Sequence, residues 1–185
     1  MNHFLDIGAN VGQTFDDFLL KRPDLDGWTV WCFEPSPRHL PALMAKVAEV
    51  APFYASVRIV PAGVAGEYAL RRFWTKDDPR GDSFSVRLAS DHETKNLAEG
   101  FEIHAVTVDI ADFIERTPGR HTVKIDAEGA EYAIMDRLIG ATHIHDRIDC
   151  IMVEWHDTDT HEARSASGYI ERARAAGLRV ELWEY

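Results

Sequence analysis

The sequence predicts an α/β protein: a mostly parallel, Rossmann-like sheet flanked by helices, with an antiparallel extension in the middle of the chain. Two observations predict it. Short apolar runs alternate with stretches of helical periodicity along most of the chain. The first of those runs also leads straight into a glycine turn and a helix, in "HFLDIGANVGQTFDDFL".

The elements follow in order. "HFLDI" is the first strand, and "QTFDDFLLKR" a helix with Phe15, Phe18 and Leu19 on one face, stopped by Pro23. "WTVWCFE" is the second strand, ending at Glu34. Ser36 and Pro37 form a cap and first-turn pair, opening a helix with Leu40, Leu43, Met44, Val47 and Val50 on one stripe. "VRIV" is the third strand. The rhythm then changes: "EYALRRFWT", "FSVRL" and "FEIHAVTV" alternate like half-exposed antiparallel strands joined by polar loops. Residues 67–108 therefore read as a strand-rich insertion or sheet extension, too short for a core of its own, within a single domain of residues 1–185. A short helix over "IADFIE", the strand "HTVKID" and the helix "AEYAIMDRLIG" come next, the last with Ile134, Met135, Leu138 and Ile139 inward and Gly140 as its stop. The strand "IDCIMVEW", a helix around "SGYIERARAAG" ended by Gly177, and the strand "RVELWEY" complete the chain.

Composition narrows the function. A net charge of −11 argues against nucleic acid, which needs a positive footprint. No apolar run approaches a membrane span, and no basic region followed by an apolar stretch opens the chain, so no membrane partner or signal peptide is expected. Cys32 and Cys150 each sit inside an apolar run, as small hydrophobes do, which fits a reducing cytoplasm.

In open parallel sheets, ligands bind beyond the carboxyl ends of the strands. Gly8 and Gly12 let the backbone turn sharply and approach a ligand there. The dinucleotide fingerprint expects glycine where Asn10 stands, and the charge of Asp6 repels phosphate but attracts an ammonium or sulfonium. Glu34, 28 residues after Asp6, ends the second strand, where a carboxylate accepts both hydroxyls of a ribose. An adenosine bearing a positive charge instead of a pyrophosphate matches S-adenosyl-L-methionine. Pro35 follows Glu34 at the same rim. Ala62 and Gly63 allow close approach after the third strand, where Val64 and Gly66 stand and an adenine ring often packs.

The chain resembles the FkbM family of S-adenosylmethionine-dependent methyltransferases. The resemblance rests on "FLDIGANVGQT", "FEPSP", "VPAGVAGE", "VTVDIADFI", "VKIDAEGAEYAIMDRL" and "IMVEWH". It implies a Rossmann-like class I methyltransferase fold, most often an O-methyltransferase acting on hydroxyls of small molecules, sugars or natural products. It also implies cofactor contact or a place in the cleft for Ser83. Family members usually carry covering residues before the first strand and a last antiparallel strand pair. Here the strand starts at about His3 and the chain ends at "LWEY", so a compact enzyme with an open cleft, or one completed as a homodimer, is expected.

A second polar cluster follows the later strands: Lys124, Asp126, Glu128, Glu131, Glu154 and His156. Strand alternation lets Glu154 and His156 face the same way. Asp126 is expected to serve both cofactor and chemistry, and Glu128 and His156 to touch the acceptor. His156 is the leading general base, because imidazole titrates nearest neutral pH, with Asp126 and Glu154 as runners-up. The same donors suit magnesium or calcium, yet a metal is not the favoured reading. Asp157, Asp159 and His161 in "HDTDTH", and "HIH" at 143–145, read as solvated loops without zinc spacing. Arg71, Arg72, Lys76 and Arg80 read as a solvated strand edge or an anion contact, and Phe73 and Trp74 as packing or as a stacking surface for a sugar. Two rival readings remain: an NAD or nucleotide-sugar oxidoreductase, and a catalytically inactive binding module that keeps the cofactor fold.

Overall fold

The computed structural model describes residues 1–76, 86–88, 100–156 and 166–183. Six strands form one wholly parallel sheet: β1 (Asn2–Ile7), β2 (Thr29–Phe33), β3 (Ser56–Val60), β8 (Arg120–Ile125), β9 (Ile148–Val153) and β10 (Val180–Leu182), in the order β10-β9-β8-β1-β2-β3. Counted along the chain this is 3-2-1-4-5-6, the doubly wound order, whose reversal point lies between β1 and β8.

Strand alternation builds the two halves of the core. Leu5, Ile7, Phe33, Val123, Ile125, Ile151 and Val153 point to one face, against α3 (Ile110–Arg116), α4 (Glu131–Gly140) and α5 (Ala166–Ala175). Phe4, Val30, Cys32, Cys150 and Met152 point to the other, against α1 (Gln13–Asp17) and α2 (Leu40–Val50). Both cysteines are buried and free, as their apolar settings suggest.

Several local expectations are corrected. The first helix is only five residues long: Phe18 leaves helical geometry at φ −130°, and two 3-10 turns, Leu19–Lys21 and Pro23–Leu25, carry the chain on. Phe15, Phe18 and Leu19 are nonetheless all buried, so the broken backbone still delivers the apolar face. Ser36 caps nothing through its hydroxyl; α2 begins after His39, and Met44 lies outward at 61% exposure. Gly140 is the last residue of α4 rather than the residue beyond it, whereas Gly177, at φ +84°, follows α5 in the left-handed region.

The middle of the chain is a second sheet rather than an extension of the first. β4 (Gly63–Ala65), β5 (Ala69–Lys76), β6 (Val86–Leu88) and β7 (Gly100–Asp109) stand in the order β4-β7-β5-β6. β5 pairs antiparallel with both β6 and β7, as the alternation predicts, while the short β4 runs parallel to β7 and has no signal of its own in the sequence. At the end of β7 the Asp109 carboxylate accepts the Ala111 and Asp112 N–H groups, capping α3, and pairs with Arg137 on α4.

At the amino end of the main sheet, His121 is fully buried and stacked on His3, ring centroids 4.9 Å apart. Its Nδ1–H donates to the Arg147 carbonyl at 3.3 Å, since a carbonyl only accepts. Burial pushes its pKa down to about 4. The unfolded chain takes up this proton near pH 6.5 and the folded chain does not until about pH 4. Stability is therefore lost as pH falls through that window, by on the order of 3 kcal/mol from this residue. Urea denaturation of His121→Asn should show a variant less stable than the parent at pH 7, with the gap narrowing at pH 5.

Candidate active site

The carboxyl ends of the strands are pinned to one another. Beyond β2, the Glu34 N–H donates to Val60 O; beyond β8, Asp126 N–H donates to Ile7 O; beyond β9, Glu154 N–H donates to Ile125 O. Three acidic residues are thus held along one rim.

The glycine loop closes over this rim in left-handed geometry, with Gly8 at φ +79°, Asn10 at +50° and Gly12 at +94°. At Gly8 a Cβ would stand 1.8 Å from the Asp126 carbonyl oxygen, so only glycine fits between β1 and β8. The loop turns its N–H groups inward: Gly8 and Ala9 donate to Phe33 O, Gly12 to Ala9 O, and Asn10 to Glu34 Oε2 at 2.9 Å. Glu34 is almost wholly buried, and its Oε1 accepts the Ser36 N–H at 2.8 Å and stands 3.2 Å from His39 Nδ1. Its carboxylate is oriented from both sides before any ligand arrives.

Beneath the loop, Lys124 Nζ is shared by three oxygens: Asp6 Oδ1 and Gly8 O at 3.1 Å and Asp126 Oδ2 at 3.2 Å. Burial works against this ammonium, but Asp6 and then Asp126 outweigh it and hold its pKa above the ordinary lysine value. Asp6 is fully buried here and also accepts the Thr14 hydroxyl. The ligand cation expected at Asp6 is replaced by the protein's own.

A cleft opens above, walled by residues from the ends of β1, β2 and β8 and by Gly63, Val64 and Phe73. Of the expected cofactor residues, Gly8, Asn10, Glu34, Pro35, Gly63 and Asp126 line it, and so does Glu128. Gly12 instead packs toward α2, where a Cβ would meet Lys46 Cγ at 2.9 Å. Ala62 is buried and is not among the lining residues. Ser83, like the 157–161 loop acids and histidine, lies outside the described residues. His39 and Phe73 also line the cleft. The sequence offers no signal for His39, and leaves Phe73 divided between packing and stacking. A second, polar cleft shares Gly8 and Asp126 with the first and is walled by Gln13, Thr14, Asp17, Lys124, Glu154 and Trp183.

His156 stands beside that junction. Its Nδ1 bonds Glu131 Oε1 at 3.0 Å, while Nε2 faces Glu128 and Glu154 at 3.8 Å and Asp126 at 3.9 Å. The Glu131 hydrogen bond, against burial and with the charge of Glu128, lifts the ring's pKa to about 9. The imidazole expected as a free base is therefore an imidazolium at neutral pH. Glu131 is fully buried and also accepts the Ala127 and Gly129 N–H groups at 2.8 Å. It thereby fixes the β8–α4 loop, in which Glu128 sits at φ +51°. Burial, and then the charge of Asp126, raises the pKa of Glu154. Asp126, Glu154 and His156 each bring a donor atom within 4.8 Å of the others, an oxygen and nitrogen set of the kind that takes divalent ions.

A doubly wound parallel sheet with a cleft at its carboxyl rim defines a Rossmann-like protein. The sequence matches the methyltransferase FkbM domain over residues 6–180, and the chain belongs to that family of methyltransferases. Its fold is similar to that of the crystal structure of methyltransferase FkbM from Methylobacillus flagellatus KT, with a TM-score of 0.50 and 15% identity over 80% of this chain. The chain spans 32% of the length of that protein. No curated protein matches the chain.

Gly8→Ala should destabilise the fold by at least about 2 kcal/mol in urea titration, since strained backbone and a clash with backbone oxygen combine.

Proposed function

We propose that the protein is an S-adenosylmethionine-dependent methyltransferase acting on a hydroxyl of a small molecule or glycan. The observation that carries this is Glu34: a buried carboxylate on the cleft wall, oriented by the Asn10 and Ser36 N–H groups, with lone pairs left for a ribose diol. The same geometry disfavours a dinucleotide. The N–H groups of Gly8, Ala9, Asn10 and Gly12, which would cradle a pyrophosphate, all donate to protein oxygens.

When bound, S-adenosylmethionine supplies a methyl group activated on a sulfonium. The residues here bind and orient. Glu34 holds the ribose end, and the polar cleft lies on the other side of Gly8 and Asp126, which wall both. Glu154, half exposed there with a raised pKa, accepts the hydroxyl proton as the acceptor oxygen attacks. The His156 imidazolium, 3.8 Å from Glu154 and 3.9 Å from Asp126, partly offsets the rise in the Glu154 pKa and holds both carboxylates in place. The carboxylates around it favour a neutral or cationic acceptor over an anionic one.

Calorimetric titration should show binding of S-adenosylhomocysteine and none of NAD. Glu34→Ala should weaken the former by about 10-fold or more. Failure of the parent chain to bind it overturns the reading. Once an acceptor is in hand, Glu154→Gln should lower kcat by about 100-fold while leaving S-adenosylhomocysteine affinity within about 2-fold.

A further inference from the structure

His39 is set against the Glu34 carboxylate by a turn that closes on itself. The Ser36 N–H donates to Glu34 Oε1 at 2.8 Å, and the His39 N–H donates to Ser36 O at 3.1 Å. The His39 ring then returns to the start of the turn, its Nδ1 3.2 Å from Glu34 Oε1. Pro35 and Pro37 fix φ at two positions between them. On its other side the His39 carbonyl accepts the Leu43 N–H at 2.9 Å, so the backbone that carries the ring is anchored to α2 as well.

The pair is nearly sealed from solvent yet borders the first cleft. His39 is 2% and Glu34 3% exposed, and both belong to the cleft wall. A buried carboxylate is costly unless its charge is met, and the Asn10 and Ser36 N–H groups that meet it are neutral donors. Among the described residues, His39 is the only basic side chain paired with Glu34. A carboxylate only accepts, so the ring faces Oε1 with an N–H. The last torsion of a glutamate side chain is soft, and two backbone donors leave its plane room to rock. The imidazole, rigid and fixed at its base, stops that rotation from the Oε1 side.

We propose that His39 is a positioning residue for nucleoside recognition: it holds the Glu34 carboxylate in the one orientation from which it accepts ribose hydroxyls. This rests on the S-adenosylmethionine reading above. His39 acts through Glu34, so it governs how strongly the hydroxyls are read and leaves the grip on the base and on the amino-acid end unchanged.

The test measures binding of two probes by calorimetry: S-adenosylhomocysteine, and its 2′,3′-dideoxy analogue, which lacks both hydroxyls. His39→Ala should raise the Kd for S-adenosylhomocysteine by about 10-fold and change that for the dideoxy analogue by less than about 2-fold. His39→Asn, whose amide N–H can stand where Nδ1–H does, should recover most of the loss. In a Glu34→Ala background, His39→Ala should add less than about 2-fold, because the group it positions is gone. Equal weakening of both probes makes His39 a packing residue only and overturns the proposal. Unchanged affinity in His39→Ala overturns it too, as does a full 10-fold effect that persists without Glu34. If the parent chain binds no S-adenosylhomocysteine while remaining folded, the cofactor reading fails and this inference falls with it; if the parent binds and His39→Ala is silent, the inference alone fails.

Discussion

The buried ammonium of Lys124 is the interaction on which the site depends. Two adjacent parallel strands, β1 and β8, bring Asp6, one residue before the end of β1, close to Asp126, one residue beyond β8. Left alone, Asp6 and Asp126 would repel each other in a medium that screens poorly. Lys124 answers both, and its third hydrogen bond fixes the Gly8 carbonyl, so the glycine loop is anchored to the strand below it. The inward-turned N–H groups of that loop, the orientation of Glu34 and the junction of the two clefts all follow from this anchorage. A buried pair of this kind is weak evidence of stability; its use here is to define a single loop geometry.

The order of elements was legible because it is written in local signals. Apolar alternation marks each strand of the main sheet, and glycine and proline mark the turns, so the parallel sheet and both of its covered faces can be read directly. The signals fail where tertiary pairing overrides them. β4 is three residues long and exists because β7 runs beside it. The helix after Gly12 stops at Phe18 although its apolar residues keep helical spacing, because burial of Phe15, Phe18 and Leu19 is satisfied by a tighter, broken path. Ser36 and Pro37 look like a helix start, yet the Ser36 backbone is committed to Glu34 and the helix waits until Leu40.

The site was legible in its positions more than in its roles. The rule that ligands gather beyond the strand ends places Gly8, Asn10, Glu34, Pro35, Gly63, Asp126 and Glu128 on one cleft without coordinates. Protonation is another matter. His156 in isolation titrates near neutrality, and nothing in "VEWH" announces that Glu131, 25 residues earlier and fully buried, will hold its Nδ1. Likewise Asp6 reads as a ligand for a foreign cation until the fold brings Lys124 beneath it. Charges that lie far apart in sequence decide these cases.

The chain enters the second sheet along β4 and leaves it along β7, and these two strands lie side by side, Gly63 opposite Thr107 and Ala65 opposite Asp109. Entry and exit are therefore a fixed gate, independent of how much polypeptide lies between them. Lengthening or exchanging the hairpin beyond the gate carries only a slowly growing entropic cost. The fold thus carries a replaceable cassette, through which one scaffold can be refitted for different guests without redrawing the sheet that supports it.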